Sequence, residues 1–186
     1  MPKLLLERLE GNDLPLPSFG TIGAAAFDLS ACLTRPFFII NQAGKRDGFI
    51  FDVRVDGYRH NISDYNVTAC LEDDPRLYIN PNETILIPSG FKAQFDVNFA
   101  LKLYVRSSAG IRGLVLANQV GIIDSDYRGE IMMTIRNVSG RVILIGHGER
   151  LVQATLEEVV RPEMVEGVVD ITTRASGGFG STGRNS

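Results

Sequence analysis

From about Tyr78 onward the chain alternates short β-branched or aliphatic runs with turn residues, and nothing sustains a helical period for more than a turn or two. Thr84-Ile85-Leu86-Ile87 is closed by Pro88-Ser89-Gly90, and Phe91 to Phe95 by a polar break. Leu101, Leu103 and Val105 then face one way while Lys102 and Tyr104 face the other, the period of two expected of a half-buried strand. Ile131 to Val138, Val142 to Ile145 and Leu151 to Val160 continue the series, with Ser139-Gly140 and Gly146-His147-Gly148 as the turns between them. Many short strands at this spacing predict an all-β domain built as a sandwich or jelly roll.

With 44% hydrophobic residues in 186, the chain can bury the core of one such domain. Its net charge of −3 and lack of a long Lys/Arg run argue against holding nucleic acid by counterion release, so any nucleic-acid-like ligand is expected to be small. No apolar stretch approaches the roughly 20 residues of a membrane span, and Leu4-Leu5-Leu6 is closed at once by Glu7 and Arg8. Neither a membrane span nor a secretory signal is therefore expected, which places the protein in the cytoplasm, the host's if the chain is viral. Cys32 and Cys70 are too few for a disulfide scaffold or a four-thiolate zinc site and are read as buried reduced thiols. His60 and His147 lie far apart without metal-ligand spacing, which disfavours a His-based triad, and Asn61, Asn66, Asn82 and Asn137, each opening an Asn-x-Ser/Thr sequence, are read as turn residues.

Two regions break the rhythm. Residues from about Phe37 to Asp74 hold Lys45-Arg46-Asp47-Gly48, Asp56-Gly57 and Glu72-Asp73-Asp74, and are expected to form an extra hairpin or long excursion, with surface decoration as its plainest role. Ser176 to Gly183 carries four glycines and one aromatic and is expected to be mobile by itself. The chain thus divides into a β domain, 1–173, with the excursion at about 37–74, and a C-terminal arm, 174–186.

Three segments inside the β pattern carry chemistry. Val120 to Glu130 places Asp124, Asp126 and Tyr127 at the tip of a hairpin; Asp124 would stand at a cleft mouth as a general base, or the segment is an Asp/Ser turn that satisfies its own backbone. Arg106-Ser107-Ser108-Ala109-Gly110 follows a strand and offers a guanidinium, two hydroxyls and accessible N–H groups to a phosphate, although ordinary turns share this composition. In Gly148-Glu149-Arg150-Leu151-Val152-Gln153, Arg150 and Gln153 open a strand toward an anion, with structural salt bridging as the alternative. The glycine-rich tail has no Lys after its glycines and is neither a Walker loop nor a dinucleotide-binding turn. It either closes over a ligand, Arg174 on phosphate and Phe179 on a base, or is a disordered terminus.

Together these segments resemble the trimeric deoxyuridine triphosphatase (dUTPase) family, whose five ordered motifs occur here in sequence: Ala25 to Ala31, Arg106 to Gly110, Asn118 to Gly129, Gly148 to Gln153 and Arg174 to Gly183. The resemblance covers residues 1–36 and about 75–186. It implies a jelly-roll or β-clip barrel with a mobile Gly-rich arm, assembled as a homotrimer whose active sites are shared between chains. The implied reaction is dUTP + water → dUMP + pyrophosphate, by attack at the α-phosphorus, which lowers dUTP and supplies dUMP for thymidylate synthesis.

By the same resemblance, Asp124 activates the water and Mg²⁺ on the triphosphate neutralises charge, with Asp28 meeting the ion through its waters. Arg106, Ser107, Ser108 and Gln153 bind phosphates, Arg150 supports them, and Arg174 caps the γ-phosphate. Phe179 lies over the uracil, with Gly180 and Ser181 beside it in the closing arm. Backbone groups of Gly121, Ile122, Ile123 and Asp124 and near Met132, helped by Asn118, read the uracil edge, and Tyr127 packs on the deoxyribose. Phe27 stands where the family often has Tyr, Ala175 replaces a frequent glycine, and the insertion of roughly 35 residues departs from the family's spacing. Two other functions compete: a dCTP deaminase of the same fold, which needs a glutamate placed on the cytosine amine, and a regulatory binding protein that uses the nucleotide-bound trimer or the insertion to contact a partner.

Overall fold

A computed structural model describes residues 2–35, 37–40, 46–49, 69–70, 76–173 and 175–176. Its strands are β1 (Leu5–Arg8), β2 (Phe27–Ser30), β3 (Phe37–Ile40), β4 (Arg46–Phe49), β5 (Ala69–Cys70), β6 (Arg76–Ile79), β7 (Thr84–Pro88), β8 (Phe91–Gln94) and β9 (Phe99–Val105). After a one-turn helix, α1 (Ser107–Ile111), come β10 (Leu114–Leu116), β11 (Gly121–Ile123), β12 (Met132–Asn137), β13 (Ile143–Gly146) and β14 (Arg150–Glu158). Every pairing among the described residues is antiparallel. The all-β jelly-roll class is the one observed, but the strands form separate sheets and do not close into a barrel: β10-β12-β7-β3-β4, β11-β9-β14-β2, β13-β6-β5 and the pair β1-β8.

The two larger sheets present their inner faces to one core. On β9, Leu101 and Leu103 point inward, on β14 Val152 and Ala154, on β2 Phe27 and Leu29, and on β12 and β7 Met133, Ile135, Ile85 and Ile87. Burying each large aliphatic side chain contributes about 1.5–3 kcal/mol, and the period of two assigns the alternate positions to the outer faces. Tight joins are met by residue choice. Gly90 sits at φ +79 between β7 and β8 with the Asn12 carboxamide packed where a Cβ would project, and Asn12 Nδ2 donates to the Gly90 carbonyl at 2.8 Å.

Three expectations change. Asn137 is a fully buried strand residue and not a turn residue: its Nδ2 donates to the carbonyls of Ile79 and Arg141, both at 2.8 Å, while Oδ1 accepts from the Ser139 N–H and hydroxyl. It anchors the following turn from inside the sheet, as burial of a polar group requires. Asn82 does lie in a turn, at φ +65, whereas Asn61 and Asn66 lie outside the described residues. Arg106-Ser107-Ser108-Ala109-Gly110, for which an ordinary turn is the alternative to a phosphate cradle, leads instead into a helix whose Ala109 is buried in the core. The stretch beginning at Phe37 opens with the expected extra hairpin, β3 paired with β4, but this hairpin is not confined to the surface: β3 also pairs with β7, and Phe37 is buried.

Cys32 is buried, and burial pushes its thiol pKa up, so it stays protonated. His147 accepts the Leu33 N–H at Nδ1 (3.1 Å) and holds Asp13 at Nε2 (3.1 Å), both structural contacts. Beyond β14, residues 159–173 run without regular structure and expose Val160, Met164, Val165, Val168, Val169 and Ile171. Among the described residues no helix is long and apolar enough to cross a membrane.

Candidate active site

The four-stranded sheet places two clusters at its opposite ends. Across β2, β14 and β9, Asp28, Gln153 and Tyr104 lie in one row, so their side chains share the sheet's outer face. The Asp28 carboxylate receives Arg106 Nε at 2.8 Å on one oxygen and Arg150 Nη1 at 3.1 Å on the other. Arg106 also donates to the Arg150 carbonyl at 3.2 Å, and its own N–H bonds the Leu151 carbonyl, which fixes the exit of β9 against the entry of β14. Two guanidiniums against one carboxylate leave an excess positive charge, and Arg150, 57% exposed, directs it to solvent. Ser107 and Ser108 are exposed beside Arg106 at the start of α1, which no side chain caps. Gln153 points its amide toward the Val105 carbonyl at 3.5 Å, a long contact that leaves it free to turn to a ligand.

The second cluster is built on β11 and the loop to β12. Gly121 is buried with the Leu103 side chain against it, so β11 lies close on β9, with Ile123 opposite Leu101. Asn118 stands exposed in the turn before, where its carbonyl accepts the Val120 N–H at 2.7 Å. Asp124 is exposed at the strand end, and its carbonyl accepts the Tyr127 N–H at 3.1 Å. The Tyr127 hydroxyl donates to the Glu130 carbonyl at 3.0 Å, laying the ring across Gly129, where any Cβ would collide with it. A pocket of about 230 Å³ opens beside this loop, lined by Phe38, Leu86, Ile122, Ile123, Asp124, Tyr127, Glu130 and Met132. A roomier pocket, about 430 Å³, is walled by Leu4, Leu6, Leu16, Phe19 and Phe27 and has no titratable side chain in its lining, so the chemistry does not belong there.

Sequence reasoning missed what holds the loop in place. Glu130 takes Arg35 on both carboxylate oxygens, Nε at 3.0 Å and Nη2 at 3.1 Å, and accepts the Gly90 N–H at 2.8 Å. The fork of Arg35 on a half-buried carboxylate is the bidentate geometry that fixes orientation as well as charge. Glu130 stood in the charged segment already singled out, but Arg35, 95 residues earlier, gave no local signal.

The structure brings Asp28, Arg106, Ser107, Ser108, Arg150 and Gln153 to one end of the sheet and Asn118, Gly121, Ile122, Ile123, Asp124, Tyr127 and Met132 to the other. It does not bring the two groups together. Asp124 lies four strand positions and three strands from Asp28, a span of about 20 Å at ~3.3 Å per residue and ~4.8 Å per strand. Arg174, Phe179, Gly180 and Ser181 lie outside the described residues. Ala175 takes φ +44, the left-handed region that favours glycine, at a position where the dUTPase pattern often has one.

A family model described as dUTPase matches residues 71–183. The chain is 34% identical over 192 residues, covering all of both chains, to the deoxyuridine 5'-triphosphate nucleotidohydrolase of Methylococcus capsulatus. To the protein of the same description from Acinetobacter baylyi it is 35% identical, covering 98% of this chain and 96% of that one. Among solved structures it is similar to the dUTPase of Streptococcus mutans, with a TM-score of 0.56, 25% identity and coverage of 87% of this chain and 98% of that one. A Staphylococcus bacteriophage 80alpha dUTPase mutant solved with dUpNHpp shares the fold at a TM-score of 0.65 and 17% identity, over 97% of this chain and 98% of that one.

Proposed function

Because this chain belongs to the dUTPase family, its reaction is the hydrolysis of dUTP, and we propose that it is carried out between subunits, by the Asp28–Arg106–Arg150 cluster of one chain and the Asp124 loop of another. The observation that carries this reading is the distance of about 20 Å between the two clusters within one chain, too far for one nucleotide's α-phosphorus to touch both. A closed ring of three copies brings unlike ends together at three equivalent sites. A C-terminal arm from a neighbouring copy, with Arg174, Phe179, Gly180 and Ser181, then closes each site over the γ-phosphate and the base.

In the proposed mechanism Asp124, exposed at the end of β11, takes a proton from the attacking water as its oxygen bonds to the α-phosphorus. The bond from that phosphorus to the α,β-bridging oxygen breaks and pyrophosphate leaves. Arg106, Ser107, Ser108, Arg150 and Gln153 hold the phosphate oxygens, and the charge developing on them meets guanidiniums already oriented by Asp28. A divalent cation, Mg²⁺ in this reading, supplies charge neutralisation on the triphosphate when bound. The residues fit such an ion in one way. Both Asp28 oxygens are engaged by arginines, and among the described residues no group of three or more His, Cys, Asp or Glu could hold a metal. Asp28 therefore suits contact through water, as a hard cation that keeps its hydration shell requires.

Base choice is proposed to rest on the backbone from Gly121 to Asp124 and near Met132, where cytosine's reversed donors and acceptors would leave buried groups unpaired. Tyr127, fixed by Glu130 and Gly129, would sit flat on the deoxyribose and leave no room for a 2′-hydroxyl. The cytoplasm remains the proposed site of action. Purified protein with Mg²⁺ should release pyrophosphate from dUTP and far less from dCTP, dTTP or UTP, with no ammonia from dCTP. Asp124→Asn should keep nucleotide binding and lower kcat by about 10²–10⁴-fold; undiminished turnover would remove Asp124 from the mechanism.

A further inference from the structure

We infer that Phe38, from the strand that opens the inserted segment, is a wall of the nucleoside pocket and helps set how tightly the nucleotide is held. The inference rests on reading the pocket beside Asp124 as the nucleoside site. Phe38 belongs to none of the five motifs, and the dUTPase family model begins its match only at residue 71.

Register puts it there. β3 pairs with β7 so that Phe38 lies opposite Leu86, and β7 pairs with β12 so that Pro88 lies opposite Met132. Residues directly opposite share a face and neighbours along a strand alternate, so Phe37, Ile87 and Met133 enter the core while Phe38, Leu86 and Met132 share the outer face. Leu86 is only 6% exposed on that face. These three side chains line the pocket together with Asp124 and Tyr127.

A nucleobase or deoxyribose entering this space has an apolar, polarisable surface. An aromatic ring offers it large contact area at little entropic cost, because few torsions must be frozen. The ring carries no proton and no charge toward the reacting phosphorus. Its contribution belongs to binding that is equal in the ground and transition states, which changes KM and leaves kcat alone. The inserted segment is thereby tied to substrate affinity.

The test is binding of dUMP, which carries the nucleoside and one phosphate but no pyrophosphate group. Phe38→Ala should weaken dUMP by about 5- to 30-fold and raise KM for dUTP by a similar factor, with kcat within about threefold of the parent. Phe38→Leu should recover part of the loss. Tyr127→Ala is the control for the pocket itself. If Tyr127→Ala weakens dUMP while a folded Phe38→Ala binds it as the parent does, the role of Phe38 is overturned and the pocket assignment stands. If neither change affects dUMP, the pocket assignment fails and takes this inference with it. A measurement that needs no destabilising change is the ¹⁹F resonance of p-fluorophenylalanine at position 38. It should shift on titration with dUMP, and an unmoved resonance at saturation would also overturn the inference.

Discussion

At the scale of single residues, the candidate site is shaped by what lies against each polar side chain. Tyr127 lies flat because position 129 has no Cβ and because the Glu130 carbonyl takes its hydroxyl; Asp28 is poised because two arginines share it. A residue outside the site shows the same dependence through its titration. Burial pushes the Glu83 carboxyl pKa up, and the Asn80 backbone N–H, donating at 2.8 Å, offsets this only in part. A carboxyl whose folded pKa lies above its unfolded value favours the folded state below the unfolded value, near 4.5, and loses that contribution as pH rises through the folded value. At neutral pH the ionised Glu83 therefore works against folding. Glu83→Gln keeps an oxygen for Asn80 and removes the charge, so it should be the more stable protein at pH 7–8, by less than about 1 kcal/mol because solvent still reaches the group. The gap should narrow as pH falls toward 4.5, and urea titrations at several pH values would show it; a gap that widens in acid contradicts the assignment.

At the scale of elements, the turns are as much a product of buried side chains as of glycines. Asn137 closes β12 by bonding the β6 carbonyl of Ile79 and organising Ser139 to Arg141. Asn137→Ala removes that partner for several buried groups at once and should cost about 2–3 kcal/mol, read as a fall in the urea midpoint, while kcat per folded molecule is unchanged. An unchanged midpoint would mean water replaces the carboxamide. This case also marks what was legible beforehand. Strands with strict alternation, such as Leu101 to Val105, could be read from the sequence because one face is buried and the other is not. Asn137 could not, because Asn commonly marks a turn and only the tertiary neighbours show that this one acts on a turn from inside a strand. The five motifs singled out Asp28, Arg106, Asp124, Arg150 and Gln153 as candidates, since such chemistries cluster locally in the sequence. Arg35 and Phe38 reach the loop through pairings across the chain, Arg35 to Glu130 and Phe38 to Leu86, and distant pairings leave no periodic trace.

At the scale of the whole molecule, one chain holds the Asp28 and Asp124 clusters at opposite ends of a sheet, and the proposed assembly would join unlike ends into whole sites. The arrangement predicts rescue between two inactive proteins. An Asp124→Asn chain retains an intact Asp28–Arg106–Arg150 cluster, and an Arg106→Ala chain retains an intact Asp124 loop. Each alone should form assemblies with no working site. Refolded together in equal amounts, they should assemble at random, so about one site in four draws its cluster from the first chain and its loop from the second. About a quarter of parental activity should then return. It should appear only under conditions that let subunits exchange, and be absent when the preassembled proteins are simply mixed on ice. Sites contained within one chain give a different result, because every chain of the mixture is defective in one half and no rescue is available at any ratio. Varying the ratio sharpens the distinction: shared sites predict activity proportional to the product of the two chain fractions, with its maximum at equal amounts. A flat baseline across that series would return both clusters to a single subunit and would require a rearrangement of about 20 Å that nothing in the β11–β9–β14–β2 sheet prepares for.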